Sequence, residues 1–423
     1  MKKFILVRAV RFLYFNFFKR IFFIDFILDN VYRRLSIYLN SGITLLIEPE
    51  FKNESEFLDT FYRINWYFKP IENRIKEINF NILNNDISYI MPKYFNQDIL
   101  NHQISKEKIS FNLNIKNKWF HNKYNYIILK WDDSDKTPKL LKNEININSK
   151  YEGMGSLMSL KFAAKNFDNN KFLKNSKIKL KEIKNSIESD SVLIIGSGPN
   201  SKQILDKNIE ISDVIVCNSV IKNDQFMKKF KPKFVVFGDP TWHSGPSKYV
   251  EEFQKSLIQT IEKYDSTIIT VERDAHIIKE YIPKEFHHKF IFIPIVKTDK
   301  KTNLNFNLSR KFYVAGTNNV LTLLLLPISF YLYKNIYFAG FDGNPDKVKK
   351  YFWKHNKDLQ FDNEFSSMRL AHPYIFEKQT MDYDFIYENH LKKINEWFHP
   401  ENLEHRKLTN LTDSHMDPFK IIS

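Results

Sequence analysis

Residues 189–423 predict a doubly wound, mostly parallel α/β sheet, and two observations carry the expectation. The first is rhythm: short β-branched runs alternate with helical segments, the pattern of strand, crossover and strand. The second is a break in which the apolar run 191–195 opens into Gly196-Ser197-Gly198-Pro199, with a helix expected from Lys202. A buried strand ending in a glycine turn before a helix opens a Rossmann-like domain, whose ligands sit at the carboxyl ends of strands.

In chain order the strands of this domain are expected at 191–195, 213–217, 233–237, 267–271, 290–295 and 335–339, with helices at 248–264 and 319–332. Upstream, residues 41–188 read as a smaller accessory α/β or α+β domain with strand-like runs at 43–47, 87–91 and 126–131. The Lys- and Asn-rich stretch 166–190 reads as a connector, which puts the boundary near Glu188.

A chain of 423 residues exceeds what one core usually organises, in keeping with two domains. Its apolar fraction of 43%, with 39 Phe and 21 Tyr, is that of a globular protein. Cys217 is the one cysteine, so an internal disulfide and a cysteine metal cluster are excluded, as suits a reducing compartment such as the cytoplasm. The net charge of +15 calls for an anionic partner or none at all. It is most concentrated in residues 1–40, where Lys2, Lys3, Arg8, Arg11, Lys19, Arg20, Arg33 and Arg34 stand against Asp25 and Asp29 amid Phe, Ile and Leu. No uncharged apolar run there is long enough to span a bilayer, and an amphipathic helix lying on an anionic membrane surface fits the pattern. The expected location is cytoplasmic and peripheral, at the inner face of the membrane. No nucleic-acid module is recognisable, and nucleic acid is not an expected partner.

The chemistry begins at the glycine turn. Two glycines let a backbone approach a phosphate or ribose, and the following helix start offers N–H groups. A dinucleotide oxidoreductase would want a third glycine and an acid at the end of the second strand. This chain has Ser201 there and Cys217-Asn218, and it contains no P-loop lysine motif. Transfer to an acceptor hydroxyl needs a base, for which His243, His372 and His415 are candidates in loops beside apolar segments. His372 is preferred because it follows the Asp342 strand-end region. Arg310 and Arg369 lie nearest the motifs as anion ligands. Asp133-Ser-Asp135 and Asp382-Tyr-Asp384 have the form of a divalent-cation site, but such triplets arise often in charged loops, so no metal and no cofactor is expected.

Several short motifs recur in one order. They are Gly196-Ser197-Gly198-Pro199 with Asn200, Asn218, Phe237-Gly238-Asp239-Pro240, Ala315-Gly316-Thr317 and Ile336-Tyr337-Phe338-Ala339-Gly340-Phe341-Asp342. With His372-Pro373 and Thr412-Asp413-Ser414-His415 they resemble the bacterial sialyltransferases that use CMP-sialic acid, and related proteins of polysaccharide gene clusters, over about residues 190–420. The resemblance implies a metal-independent inverting glycosyltransferase of surface polysaccharide or glycolipid synthesis. It implies nucleotide and donor-sugar contacts from the glycine turn, Asn218 and Asp239, a cytidine and phosphate loop at Gly316 and Thr317, and a nucleotide contact at Asp342. It also implies a histidine base at His372 and leaving-group stabilisation by tyrosine. Tyr351 is placed for that role, while Asn344 stands where a second tyrosine is expected. The alternatives are a pterin pyrophosphokinase-like enzyme sharing the Gly-x-Gly-Pro turn and a non-catalytic scaffold on a nucleotide fold.

Overall fold

The computed structural model describes residues 43–47, 54–81, 109–112, 126–131, 140–141, 144–147, 169–296, 304–317, 319–343, 357–373 and 383–422. The basic segment 1–40 and the run 87–91 lie outside the described residues. The chain forms two compact units, one from Met1–Lys52 with Ile71–Asn148, the other from Asn53–Pro70 with Ser149–Ser423.

The first unit holds a six-stranded sheet of β1 (Ile43–Ile47), β2 (Ile75–Asn81), β3 (Ile109–Asn112), β4 (Tyr126–Trp131), β5 (Leu140–Leu141) and β6 (Glu144–Ile147). Its order is β3-β2-β1-β4-β6-β5, parallel except for the antiparallel β5–β6 pair. Every residue of β1 is buried. A central parallel strand covered on both faces reads as an unbroken apolar run, which is why 43–47 was legible.

The second unit is built on seven strands, all parallel: β7 (Ser191–Ile195), β8 (Asp213–Cys217), β9 (Phe234–Val236), β10 (Thr267–Val271), β11 (Phe290–Ile293), β14 (Asn335–Ala339) and β15 (Lys407–Asn410). Two short strands, β12 (Ile295–Val296) and β13 (Val314–Ala315), pair beside it. The order β11-β10-β9-β8-β7-β14-β15 means that the chain steps outward from β7 to one edge and then returns to the far side of β7. Strand order therefore reverses between β7 and β14, the topological switch point of a Rossmann-like sheet.

Successive strand residues serve opposite faces. Val192, Ile194, Ile215, Val236 and Phe338 join the cluster under the helical stretch of Leu321–Leu325 and Leu326–Leu332, with Ile394 and Trp397 from helix Tyr383–Phe398. Leu193, Ile195, Val214, Val216 and Phe292 join the cluster under helices Asp224–Phe230 and Lys248–Tyr264. Helix Glu54–Phe68 belongs to this unit. Its buried Arg63 pairs with Asp59 and donates at 2.9 and 2.8 Å to the carbonyls of Leu370 and Ala371, which anchors helix Phe365–Ala371.

Two expectations are corrected. The connector at 166–190 contains an 18-residue helix, Asn169–Ser186, which lies along edge strand β11. Ser176 accepts the Phe292 N–H at 3.1 Å and the Phe172 ring packs 4.6 Å from Phe292. Six lysines hid the helix by lowering its mean hydropathy, although Phe172, Ser176, Leu180 and Ile183 fall at helical spacing. The helix expected from Lys202 is a six-residue 3-10 turn, Pro199–Ile204, after which the chain bends at residues 205–207.

Candidate functional site

The residues singled out in the sequence converge on the carboxyl ends of adjacent strands. Ser197 and Gly198 follow β7, Asn218 follows β8, Asp239 lies three residues past β9, and Asp342 lies three past β14. Asn218 has φ 51°, a left-handed value that asparagine tolerates better than most side chains, and its buried Oδ1 has no hydrogen-bond partner. Gly316 and Thr317 follow β13 and lead into the Leu321–Leu325 turn. There Thr322 donates to Thr317 Oγ1 at 2.9 Å and Asn319 Oδ1 accepts the Leu321 N–H at 2.8 Å. A Cβ on Gly238 would stand 2.8 Å from Leu323, so this turn closes over the end of β9.

The two turns that flank the switch point are locked together. Gly196 N donates to Ala339 O at 2.8 Å, Gly198 N to Gly340 O at 3.0 Å, and Asn200 N to Asp342 Oδ2 at 2.8 Å. The Ser197 N–H meets the Cys217 sulfur, opposing the burial that pushes this thiol up to about 12. With Pro199 lacking an N–H, each main-chain donor from 196 to 200 already has an acceptor within the protein. The expected phosphate cradle of backbone amides is thus filled, and the glycines serve close approach instead. A Cβ on Gly198 would stand 2.6 Å from Gly340 O and 2.7 Å from Asp342 Cγ, although its φ of −66° suits any residue. At Gly340, whose φ is 74°, a Cβ would stand 2.6 Å from the Ser201 Cβ and 2.7 Å from Gly196 O.

The C-terminal run Thr412-Asp413-Ser414-His415 wraps both turns. Thr412 Oγ1 accepts the Gly340 N–H, Gln203 and Asp413 exchange hydrogen bonds of 2.7 and 3.1 Å, and Ser414 Oγ donates to Phe341 O at 2.7 Å. The His415 N–H reaches Asp342 O at 2.6 Å. Asp342 is buried, and its Oδ1 lacks a hydrogen-bond partner. Burial pushes its carboxyl up to about 6, against the Asn200 N–H and His415, which favour the charged form, and with Asp413, which disfavours it. Across the next turns, Lys202 pairs with Asp358 at 2.6 Å and Lys222 donates to Gln360 O, which ties residues 357–360 over the segments after β7 and β8.

The histidines separate by environment. His243 is buried between Phe237 and Phe253, with ring centroids 5.1 and 4.6 Å away. Its Nδ1 donates to Asp239 O at 2.7 Å, and burial pushes its pKa down to about 3, so it stays neutral. His372 ends helix Phe365–Ala371 with 0% of its surface exposed. His415 is exposed and stands beside Asp342. Arg310 is exposed in a turn after Leu308, and Arg369 lies over the Phe365 ring. Tyr351, Asn344, Asp133, Asp135 and Asp382 lie outside the described residues, and Asp384 falls within helix Tyr383–Phe398. Among the described residues no group of three His, Cys, Asp or Glu is placed to hold a metal ion. Sequence reasoning missed Gln203, Lys202, Lys222 and Asp358, whose roles depend on contacts across more than a hundred residues of chain; for Thr412 and Asp413 the signal was the motif ending in His415.

Comparison of the chain with family models, curated proteins and solved structures finds no match. What the structure defines is a Rossmann-like parallel sheet with a polar rim at its switch point.

Two outcomes follow from this packing. Gly198→Ala lowers the unfolding free energy by about 2–3 kcal/mol, because the methyl meets backbone as well as the Asp342 carboxyl; the urea midpoint reports it. Asp342→Asn is stabilising at pH 8. A carboxyl whose folded pKa is raised helps folding fully below its unfolded value near 4, and that help is lost as pH rises through about 6. The neutral amide escapes this loss, so its melting temperature exceeds that of the wild type by about 2–4 °C at pH 8 and matches it at pH 4.

Proposed function

We propose that the protein is a glycosyltransferase that binds a nucleotide sugar along the switch-point rim and transfers the sugar to an acceptor hydroxyl. The supporting observation is the placement of Asn218, Asp239 and Asp342 at the carboxyl ends of strands on both sides of β7, where open parallel sheets bind their ligands. Because the 196–200 amides are engaged, the nucleotide is held by side chains: Asn218 with its unsatisfied amide oxygen, Asp239, Thr317 and Asp342. The resemblance of these motifs to the CMP-sialic acid enzymes makes a CMP-sugar the favoured donor, with a glycolipid or nascent polysaccharide as acceptor at an anionic membrane surface.

Transfer requires a group that takes the acceptor's proton. A base must reach its hydroxyl, and His372 and His243 are buried, so the role passes to His415, which is exposed beside Asp342. Asp342 holds the His415 main chain in place by accepting its N–H on the carbonyl oxygen at 2.6 Å. No metal takes part in this scheme.

Thermal melts against CMP, UDP, GDP and ATP species test the donor. A cytidine nucleotide raises the melting temperature and the others do not; magnesium-dependent stabilisation by ATP alone would refute the transferase reading in favour of a pyrophosphokinase. His415→Ala loses about 10²–10⁴-fold in turnover while keeping the nucleotide-induced melting shift. A full rate in that variant, with loss in His372→Ala at unchanged stability, returns the base to His372.

A further inference from the structure

We propose that the exposed lysine face of helix Asn169–Ser186 is a docking surface for an anionic lipid bilayer. This rests in part on the membrane-surface reading given to residues 1–40 and extends it to a second element, independent of the reaction at the switch point.

The inner side of the helix is committed to the sheet. Ser176 meets the β11 edge, Phe172 packs on Phe292, and Leu180 is buried in the core. The face turned to solvent is therefore held rigidly, and its composition is one-sided. Lys171, Lys174, Lys177, Lys181 and Lys184 are all exposed and follow one another at steps of three or four residues, which gathers them on one side of the helix. Glu182 is the one acid in the helix, and its first turn has none.

Helix stability does not account for this arrangement. Like charges three and four residues apart repel, and Lys171 and Lys174 sit at the end where the backbone dipole favours anions. Lys179 of the same helix is turned to the protein instead: it donates to His288 O and is pushed down to about 8, first by burial and then by Lys289, against Asp265 and Glu182. A pattern that opposes local preference on a surface helix points to an external partner carrying negative charge.

The chemistry of the face selects among anionic partners. The helix itself presents no aromatic ring and no guanidinium on its solvent side; beside it the Tyr331 ring is covered by Lys184 at 4.2 Å, and the Arg406 guanidinium is committed to Phe330 O and Glu404. The face presents compact ammonium groups on long stems, with Ile178 among them at 46% exposure. One exposed isoleucine is ordinary on its own. Set within a lysine row, it matches a helix that lays an apolar residue among lipid headgroups while its cations meet their phosphates.

The experiment is cosedimentation of the full chain with vesicles of phosphatidylcholine alone or with about one-third phosphatidylglycerol, at low and high salt. Two variants are compared with the wild type: Lys171→Glu, Lys174→Glu, Lys177→Glu and Lys181→Glu combined, and Lys2→Ser, Lys3→Ser, Arg8→Ser and Arg11→Ser combined. The wild type pellets with anionic vesicles only, salt releases it, and the helix variant loses about tenfold or more in partitioning at unchanged melting temperature. Wild-type protein that stays in the supernatant, or a helix variant that pellets like the wild type, overturns the proposal. In the latter case, loss in the N-terminal variant leaves the reading of residues 1–40 standing alone. Equal capture by a short RNA, lost in the same helix variant, also overturns it, because the face would then read negative charge without a bilayer.

Discussion

Everything at the carboxyl edge of the large sheet depends on the contact between the turn after β7 and the turn after β14. Gly196, Gly198 and Gly340 let two main chains meet at a separation no Cβ would fit, and the hydrogen bonds Gly196 N to Ala339 O and Gly198 N to Gly340 O continue the strand ladder past the strands themselves. That closure fixes Asp342 against Asn200, brings the 412–415 run over both turns, and leaves the donors of the first turn occupied. With those donors taken, the groups that stand at the neighbouring strand ends are the side chains of Asn218, Asp239 and Asp342.

Much of this frame was legible. Four of the six expected strands of the second unit match the structure end to end, as does helix Lys248–Tyr264, because buried parallel strands are short apolar runs and an amphipathic helix shows its period directly. The second strand pair, β12 with β13, and edge strand β15 escaped notice: two-residue bridges carry no period, and Lys407–Asn410 alternates polar residues on an exposed edge. Helix Asn169–Ser186 was concealed by the same lysines that now distinguish it.

The site was less legible than the fold, for a physical reason. Sequence order places Asn218, Asp239 and Asp342 after strands, but it does not tell which donors are satisfied internally. The glycine turn has the composition of a phosphate cradle, yet the role of its amides was decided by Gly340 and Asp342, some 140 residues away in the chain. Histidine candidates have the same ambiguity. His243 follows Asp239 in a loop-like context and proves to be an aromatic-core residue, since Phe237 and Phe253 enclose its ring. Only the fold distinguishes it from His415, which lies at the surface.

Both margins of the seven-stranded sheet are stopped by groups from outside it: Ser176 takes the Phe292 N–H at β11, and at β15 the Asn410 N–H goes to Ile422 O. For a chain so rich in isoleucine, phenylalanine and asparagine, this matters beyond the native state. Unguarded rows of amide and carbonyl groups on such strands are templates for fibrous self-association. The terminal turn Asp417–Ile421, which delivers Ile422 to that margin, therefore acts as a stopper, and a truncation that removed it would expose the chain to aggregation through β15 even with every strand intact.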